Sequence, residues 1–141
     1  MQVICEYKSQ KAVNDLKKLG CIERKSLVLT FPKEEIVPKE YLRHFVRGYF
    51  DGDGSISSHN GAYIVNVVGT ESFIKELYNF FNMGSIFPDK RKENSWYLSI
   101  GGNYQVIKVY HLLYDNSTRY MERKYLKFKE LITKYDESQG A

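Results

Sequence analysis

Segments with strand-like and helix-like hydrophobic periodicity alternate along most of the chain. Apolar and polar residues alternate over short runs at residues 55–58, 62–69, 85–87 and 96–100, as expected for strands with one buried face. Longer runs with apolar residues three and four positions apart, typical of amphipathic helices, lie between and around them. From residue 38 onward, this pattern predicts the order helix, two strands, helix, two strands and two helices.

Capping residues and apolar stripes locate the predicted helices. The first begins at Pro38, which suits a first helical turn because its missing N–H is not needed there, and ends near Phe50. Thr70 and Asn103 are predicted N-caps of the next two helices, Gly84 is predicted to end the first of these, and the last helix is predicted over residues 119–135. The predicted buried stripes are Tyr41, Leu42, Phe45 and Tyr49; Phe73, Ile74, Leu77, Tyr78 and Phe81; Val106, Ile107, Tyr110, Leu113 and Tyr114; Met121, Tyr125, Phe128, Ile132 and Tyr135.

The strands are predicted to form two hairpins. His59-Asn60-Gly61 supplies turn chemistry for the first, and the polar, basic loop of residues 88–94 closes the second. Two hairpins with helices on one side imply an α+β fold with an antiparallel sheet that has one covered face. The alternation predicts that Ser55, Ser57, Tyr97 and Ser99 point away from that covered face.

Residues 1–32 are predicted to be an accessory segment ahead of a main domain at residues 33–136, with a frayed tail at 137–141. Ser9 can cap a short helix with an apolar face of Val13, Leu16 and Leu19, and Gly20 follows its end. Lys25–Phe31 then reads as a strand.

Composition narrows the class of protein without choosing a function. A chain of 141 residues suits one domain, and 43% hydrophobic residues suffice for a core. The net charge of +4 permits nucleic-acid binding without establishing it. Cys5 and Cys21 form no CxxC pair and are expected to be reduced thiols in an intracellular protein. No membrane span or signal peptide is expected, and His44, His59 and His111 form no metal-binding pattern.

The most unusual stretch is residues 46–54, Val-Arg-Gly-Tyr-Phe-Asp-Gly-Asp-Gly. Gly48 and Gly52 lie four positions apart on one helix face, which lets a second backbone come close. Asp51 and Asp53 stand near the helix C-terminus, where the helix dipole disfavours carboxylates, so a bound cation is expected there. An EF-hand starting at Asp51 is excluded because its sixth and twelfth positions would be Ile56 and Ala62 rather than Gly and Glu. A plain turn stays possible for Asp51.

These nine residues resemble the signature of the LAGLIDADG homing endonucleases, although Val46-Arg47 departs from the Leu-Ala of the signature. The resemblance extends more loosely over residues 9–135, and only one copy of the motif is present. Residues 9–32 resemble the segment that precedes the second motif in two-repeat members of the family. The resemblance implies the LAGLIDADG homing-endonuclease fold, α-β-β-α-β-β-α-α, whose curved antiparallel sheet forms a DNA-binding saddle.

The resemblance also implies a site-specific DNA endonuclease that makes double-strand breaks with Mg²⁺ or another divalent cation. Asp53 then corresponds to the metal-binding catalytic acid, and the Gly52 carbonyl to the ligand beside it. Lys124 is the candidate for a basic catalytic residue, with Arg123 second, and a solvated basic helix face is an equal alternative. Gly48 and Gly52 are expected to pack against a second copy in a homodimer, or against a second repeat of a longer protein. Asp51 is expected to order the helix end.

Residues on strands and at a hairpin tip are the candidates for contact with double-stranded DNA. They are Ser55, Ser57, Lys90, Arg91, Lys92, Tyr97 and Ser99. Two other functions stay open. One is a catalytically inactive DNA- or RNA-binding protein of the same fold, such as a maturase or a transcription regulator. The other is an intracellular domain in which Asp-Gly-Asp-Gly is only structural.

Overall fold

The order of elements from residue 38 onward is the one predicted from the sequence. A computed structural model describes residues 4, 6, 8–22 and 27–140. The elements are α1 (Gln10–Lys18), α2 (Lys39–Asp53), β1 (Ser55–His59), β2 (Ala62–Gly69), α3 (Glu71–Phe81), β3 (Ser85–Pro88), β4 (Trp96–Gly101), α4 (Asn103–Tyr114) and α5 (Glu122–Gln139).

The four strands form one antiparallel sheet in the order β1-β2-β4-β3. The first hairpin turns at Asn60 and Gly61, whose φ angles of 50° and 79° are those that Asn-Gly turns adopt. Strand β2 of the first hairpin pairs with strand β4 of the second. As a result, β2 and β4 lie at the centre of the sheet, and β1 and β3 lie at its edges.

One face of the sheet is covered by the helices, as the alternation predicted. Along β2, Tyr63, Val65 and Val67 are buried, and along β4, Leu98 and Ile100 are buried. The helix side chains that complete the core are Val46, Phe50, Phe73, Ile74, Leu77, Phe81, Val106, Val109, Tyr110, Leu113, Tyr114, Phe128 and Leu131. The opposite face carries no helix of the described chain, and the residues on it are exposed or half-buried.

Four residues of the predicted stripes lie outside the core: Tyr41, Tyr78, Met121 and the half-buried Tyr135. Leu42, Phe45 and Tyr49 pack against the core as predicted, together with buried Val46 and Phe50. Tyr41 lies outside the face that these residues form and is 55% exposed. Met121 is 40% exposed, because it precedes α5 as the N-cap residue and so is not on the helical stripe. Tyr78 lies at the border of the core and is also partly exposed.

Several helix ends differ from the prediction. The second helix continues to Asp53, three residues beyond Phe50, and α5 runs from Glu122 to Gln139. Helix α3 ends at Asn82, in the left-handed conformation at φ 51°, rather than at Gly84.

Thr70 caps α3 as predicted, but Asn103 does not cap α4. The Thr70 hydroxyl accepts a hydrogen bond from the Phe73 N–H at 3.3 Å. Gly102 occupies the cap position of α4. The Asn103 side chain instead accepts from the Tyr63 N–H at 2.9 Å and donates to the Gly61 carbonyl at 3.0 Å. It therefore ties the first hairpin to the start of α4, a long-range role that a local capping pattern does not contain.

The N-terminal segment was predicted in part. The Ser9 hydroxyl accepts from the Ala12 N–H at 3.3 Å and caps α1, but the apolar face of α1 is exposed, with Leu16 at 50%. Residues 27–31 do not form the predicted strand, and Lys25 and Ser26 lie outside the described residues. Instead the Phe31 ring packs 5.6 Å from Phe45 and 5.3 Å from Phe73, so the chain joins the core before residue 33.

Among the described residues, no helix has the length and apolar character needed to cross a membrane.

The buried Thr70 hydroxyl gives a test of how the N-terminal segment is held. It accepts from the Phe73 N–H and donates to the Leu29 carbonyl, and the residue is 2% exposed. Thr70→Ala should lower the free energy of unfolding in urea by about 1–2 kcal/mol, because the cap is lost and the Leu29 carbonyl loses its donor. Thr118→Ala, at an exposed threonine away from this contact, is the control and should stay within about 0.5 kcal/mol of wild type. Equal effects of both substitutions would show that the Thr70–Leu29 hydrogen bond does not help to hold the N-terminal segment.

Candidate functional site

Asp53 is the last residue of α2, and its carboxylate is exposed. It lines a cavity of about 390 Å³ between the end of α2, the end of β2 and the loop before β4. The other residues that line this cavity are Leu29, Tyr49, Val68, Gly69, Lys92 and Ser95. Val68 belongs to the uncovered face of the sheet, so the cavity joins the Asp53 carboxylate to that face.

Asp51, two residues earlier, is engaged with its own protein. One carboxylate oxygen accepts from the Tyr114 hydroxyl at 2.6 Å, and the other accepts from the Met121 N–H at 3.0 Å. Burial, together with the Asp51 hydrogen bond and charge, raises the pKa of Tyr114, so this phenol stays a donor at ordinary pH. These contacts agree with the expectation that Asp51 orders the helix end, and they leave Asp53 as the exposed acid of the pair.

Lys124, in the first turn of α5, is buried against the same helix end. Its ammonium donates to the Phe50 carbonyl at 2.7 Å and to the Asp51 carbonyl at 2.7 Å, and it lies 5.2 Å from the centre of the Phe50 ring. The residue is 4% exposed. Burial lowers the pKa of Lys124, and the Asp51 carboxylate opposes that shift. Arg123, the second basic candidate, is exposed.

Gly54 follows Asp53 and is the one glycine of the motif that requires the absence of a side chain. A Cβ atom at this position would lie 2.1 Å from the Phe50 ring, which is far too close. The Gly54 N–H also donates to the Phe50 carbonyl at 2.8 Å. Gly52 and Asp53 therefore stand between a helix turn bound by α5 and a glycine packed on Phe50.

Gly48 and Gly52 lie on an open face of α2. A Cβ atom at either position would meet no atom within 4 Å in the described part of the chain. Together with His44, Phe45, Tyr49 and Asp53 they line a groove of about 530 Å³. The two glycines thus do not serve packing within the described chain, and a second helix could approach along this groove.

The uncovered face of the sheet carries a row of short polar side chains across all four strands. Ser55 pairs with Asn66, Asn66 with Ser99, and Ser99 with Ser85. Ser57 lies beside the same row, opposite Ile64. Three of these, Ser55, Ser57 and Ser99, were predicted from the alternation.

Asn66, Ser85 and Phe87 also lie on this face and were not predicted as contact residues. The Phe87 and Tyr97 rings pack 5.3 Å apart on the β3–β4 pair. Alternation along residues 62–69 and 85–87 was already visible, and extending it would have placed Asn66 and Phe87 there. The register that aligns Asn66 with Ser99 was not visible, because it depends on which hairpin strands become neighbours.

The predicted basic residues of the second hairpin loop are exposed, and one of them is paired. The Asp89 carboxylate accepts from the Arg91 Nε at 3.0 Å and from its Nη2 at 3.1 Å. This fork holds the pKa of Asp89 below its ordinary value. Lys90 points to solvent at the tip, whereas Lys92 lines the Asp53 cavity, an association that its place in the loop did not predict.

The residues at the end of α2 suit a hard divalent cation that also binds phosphate. Among the described residues, no three His, Cys, Asp or Glu side chains come together as a metal cluster. Magnesium is commonly held by one or two carboxylates and by substrate phosphates, with water in the other positions. The exposed Asp53 carboxylate supplies one such ligand. The carbonyls of Phe50 and Asp51 accept from Lys124, while no side chain of the described residues donates to the Gly52 carbonyl next to Asp53.

Solved homing endonucleases share this fold. I-Vdi141I, an archaeal intron-encoded homing endonuclease complexed with DNA, superposes with a TM-score of 0.55 at 15% identity, over 65% of this chain and 67% of that one. I-CvuI, in complex with its target in the presence of 2 mM Ca, gives 0.50 at 11% identity, over 63% and 64%. The LAGLIDADG homing endonuclease I-SmaMI, bound to cleaved DNA, gives 0.51 at 14% identity, over 92% of this chain and 45% of that one. The chain therefore has the LAGLIDADG homing-endonuclease fold.

Sequence comparison finds a relative that is named as a replication protein and not as an endonuclease. The chain is 31% identical over 135 residues to the replication factor C small subunit of Methanocaldococcus jannaschii. The match covers 88% of this chain but only 7% of the length of that protein. No protein-family model matches the chain.

The Tyr49 phenol reports on the charge of Asp53. Burial, and secondarily the Asp53 charge, raises the pKa of Tyr49 to about 12 from its ordinary 10.0. Tyr49 should therefore stay neutral through pH 11, and the stability that this adds is present below pH 10 and lost as pH rises through about 12. Asp53→Asn should lower the Tyr49 pKa but leave it above 10, because burial is the larger cause.

The measurement is a pH titration of ¹³Cζ-labelled tyrosine by NMR, with the Tyr49 resonance assigned from Tyr49→Phe. Asp136→Asn, which removes an exposed carboxylate on α5, is the control and should not move the Tyr49 pKa. An identical Tyr49 pKa in wild type and Asp53→Asn would show that the Asp53 carboxylate does not face this ring.

Proposed function

We propose that this protein is a site-specific DNA endonuclease of the homing type, which hydrolyses phosphodiester bonds of both strands with the help of a divalent cation. The observation that carries the proposal is the placing of Asp53. Its exposed carboxylate stands at the C-terminal end of α2, beside the open glycine groove and at the margin of the uncovered sheet face. One acidic residue is thus next to both the groove that would take a second helix and the sheet face that would take DNA.

Double-stranded DNA would lie on the uncovered face of the sheet. Ser55, Ser57, Asn66 and Ser99 present hydroxyl and amide groups that can donate to and accept from base edges. Lys90 and Lys92 in the hairpin loop would contact phosphates, and Arg91 would share its charge with Asp89. Tyr97 with Phe87 would supply apolar contact area on the same face.

Cleavage of both strands requires two sites, and this chain carries one copy of the motif. We therefore place a second motif helix in the groove at Gly48 and Gly52, supplied by a second copy of this chain or by another repeat of a longer protein. Two Asp53 carboxylates would then stand together between the two scissile phosphates. The small residues of the groove allow the close helix approach that this requires.

The Asp53 carboxylate and the Gly52 carbonyl would hold the cation, Mg²⁺ in the simplest case. When bound, such a cation supplies charge neutralisation at the phosphate and lowers the pKa of a bound water. The fold neighbour I-CvuI was crystallised with its DNA target and calcium, which supports a divalent cation in this fold. Lys124 takes no part in the proposed chemical step, because two of its three N–H groups already donate to backbone carbonyls.

A DNA- or RNA-binding protein of the same fold without cleavage is the second candidate. The engagement of Lys124 favours it, because a nuclease site needs positive charge near the phosphate and Lys124 is not free to supply it. Lys92, which lines the Asp53 cavity, is the basic side chain that argues for cleavage. The name of the replication relative bears on neither candidate, since the matched part is 7% of that protein.

Removal of the Asp53 charge tests the cleavage proposal. The substrate is supercoiled plasmid that carries the DNA flanking this gene, incubated with Mg²⁺. Wild type should nick and linearise it, and Asp53→Asn should reduce the rate by about a hundredfold or more, because the neutral amide binds a divalent cation poorly. Asp136→Asn is the charge-matched control and should cleave like wild type.

Binding separates the outcomes without cleavage. Salt-sensitive binding of the same DNA by a protein that does not cut it would favour the second candidate. Neither cleavage nor salt-sensitive binding would contradict the proposal and favour a structural Asp-Gly-Asp-Gly.

A larger residue in the groove tests the second motif helix. Gly48→Val should leave the monomer as stable as wild type or more so, because the added side chain meets no atom within 4 Å and valine is the better helix former. Sedimentation at micromolar concentration should give a dimer for wild type and a monomer for Gly48→Val, and the variant should lose double-strand cleavage. Gly101→Val, at another open glycine outside α2, is the control and should remain a dimer. A stable Gly48→Val dimer would place the interface elsewhere.

A further inference from the structure

Lys124 is the most deeply buried charged residue that the described chain contains, at 4% exposed. Its ammonium makes no hydrogen bond to a carboxylate among the described residues; it donates to the backbone carbonyls of Phe50 and Asp51, each at 2.7 Å. The last carbonyls of an α-helix have no partner within the helix, and they form the negative end of the helix dipole. The Lys124 ammonium therefore caps the C-terminus of α2 from a different helix.

A second contact joins the same two elements. The Asp51 carboxylate accepts from the Met121 N–H at 3.0 Å, at the start of α5. Lys124 thus binds main-chain carbonyls in the last turn of α2, while the Met121 N–H binds the Asp51 side chain in the same turn. The segment that follows consists of Gly52 and Asp53, and Gly54 beyond it is fixed because its Cα hydrogen faces the Phe50 ring.

The burial and hydrogen bonding of Lys124 argue against its direct contact with a reacting group. A residue that touches a scissile phosphate or its attacking water needs a free donor on an accessible surface. Lys124 has one N–H left, and its ammonium lies over the Phe50 ring at the back of the helix end. The Asp53 carboxylate, in contrast, is exposed in the cavity that opens to the sheet face.

We propose that Lys124 is a positioning residue, whose ammonium fixes the last turn of α2 so that the Gly52 carbonyl and the Asp53 carboxylate are presented together to one divalent cation. This inference rests on the proposed function, since it assigns a support to the cation ligands named there. Its chemistry is that of an outer partner that orients ligands, and loss of such partners weakens metal binding by about 10–100-fold.

The test uses three substitutions at Lys124 and two readouts that need no cleavage. Lys124→Met keeps the length of the side chain against Phe50 but removes the charge and the donors. Lys124→Arg keeps both, and Lys124→Gln keeps one donor group without the charge. Lys129→Met, an exposed lysine on the same helix, is the control. The readouts are amide hydrogen exchange of Gly54, which donates to the Phe50 carbonyl, and a Mn²⁺ titration followed by paramagnetic broadening of the Gly52 and Asp53 amides.

Lys124→Met should speed Gly54 exchange roughly tenfold, because the last turn of α2 loses the two hydrogen bonds that tie it to α5 and opens more often. It should weaken Mn²⁺ binding by about 10–100-fold and raise the Mg²⁺ concentration for half-maximal cleavage by a similar factor. Lys124→Arg should restore both values to near wild type, and Lys129→Met should leave them unchanged. If Lys124→Met does not fold, Lys124→Gln takes its place, with smaller shifts in the same direction.

Wild-type Gly54 exchange and Mn²⁺ affinity in folded Lys124→Met or Lys124→Gln would overturn the inference, and loss of cleavage in such a variant would make Lys124 a catalytic residue. Failure of the proposed function looks different, because wild type itself would then neither cleave DNA nor bind Mn²⁺. In that case the inference about cation ligands falls with it, while Gly54 exchange still decides whether Lys124 holds the helix end.

Discussion

The buried Lys124 ammonium holds the end of α2 by donating to two of its backbone carbonyls, and the candidate site depends on this contact. A lysine ammonium buried without partners would be strongly disfavoured. Here it replaces its water with the carbonyls of Phe50 and Asp51 in the last turn of the helix. The Phe50 carbonyl also accepts from the Gly54 N–H, so Lys124 is its second donor. Each group thus removes the cost of burying the other. As a result the helix can end abruptly beneath the sheet, and Asp53 emerges at a defined place rather than on a frayed turn.

Charged side chains donate to backbone carbonyls at a second helix end as well. Arg43 and Arg47 lie one turn apart on α2 and donate to the carbonyls of Asp115 and Leu113, at the C-terminus of α4. An alanine at position 47 could make no such contact, so Arg47 gives this chain a long-range cap on α4. Helices α2, α4 and α5 are joined through charged side chains at their ends as well as through their apolar faces.

Local patterns predicted what depends on neighbouring residues, and they were wrong where a distant partner decides. The Asn-Gly turn, the Thr70 cap, the alternation of β4 and the order of eight elements were all readable, because each is governed by residues within a few positions. The role of Asn103 was not, since its partners are about 40 positions away in the first hairpin. Lys124 shows the same limit, because a basic residue at the start of a helix looks like a solvated face until the helix end it binds is known.

The candidate site also combines residues that the local motif predicted with residues that only the tertiary structure reveals. The motif was enough to select Asp53, Gly48 and Gly52, and the structure leaves all three exposed on neighbouring surfaces. The motif could not indicate that Lys92 reaches the Asp53 cavity, or that Asn66 continues the polar row of Ser55 and Ser99, because both follow from the pairing of β2 with β4. An endonuclease and a binding protein of this fold would share the sheet, the helix cap and the glycine groove. What would distinguish them is the charge that surrounds Asp53, so Lys92 and the groups that the proposed second motif helix would bring, rather than the fold, would decide between cleavage and binding.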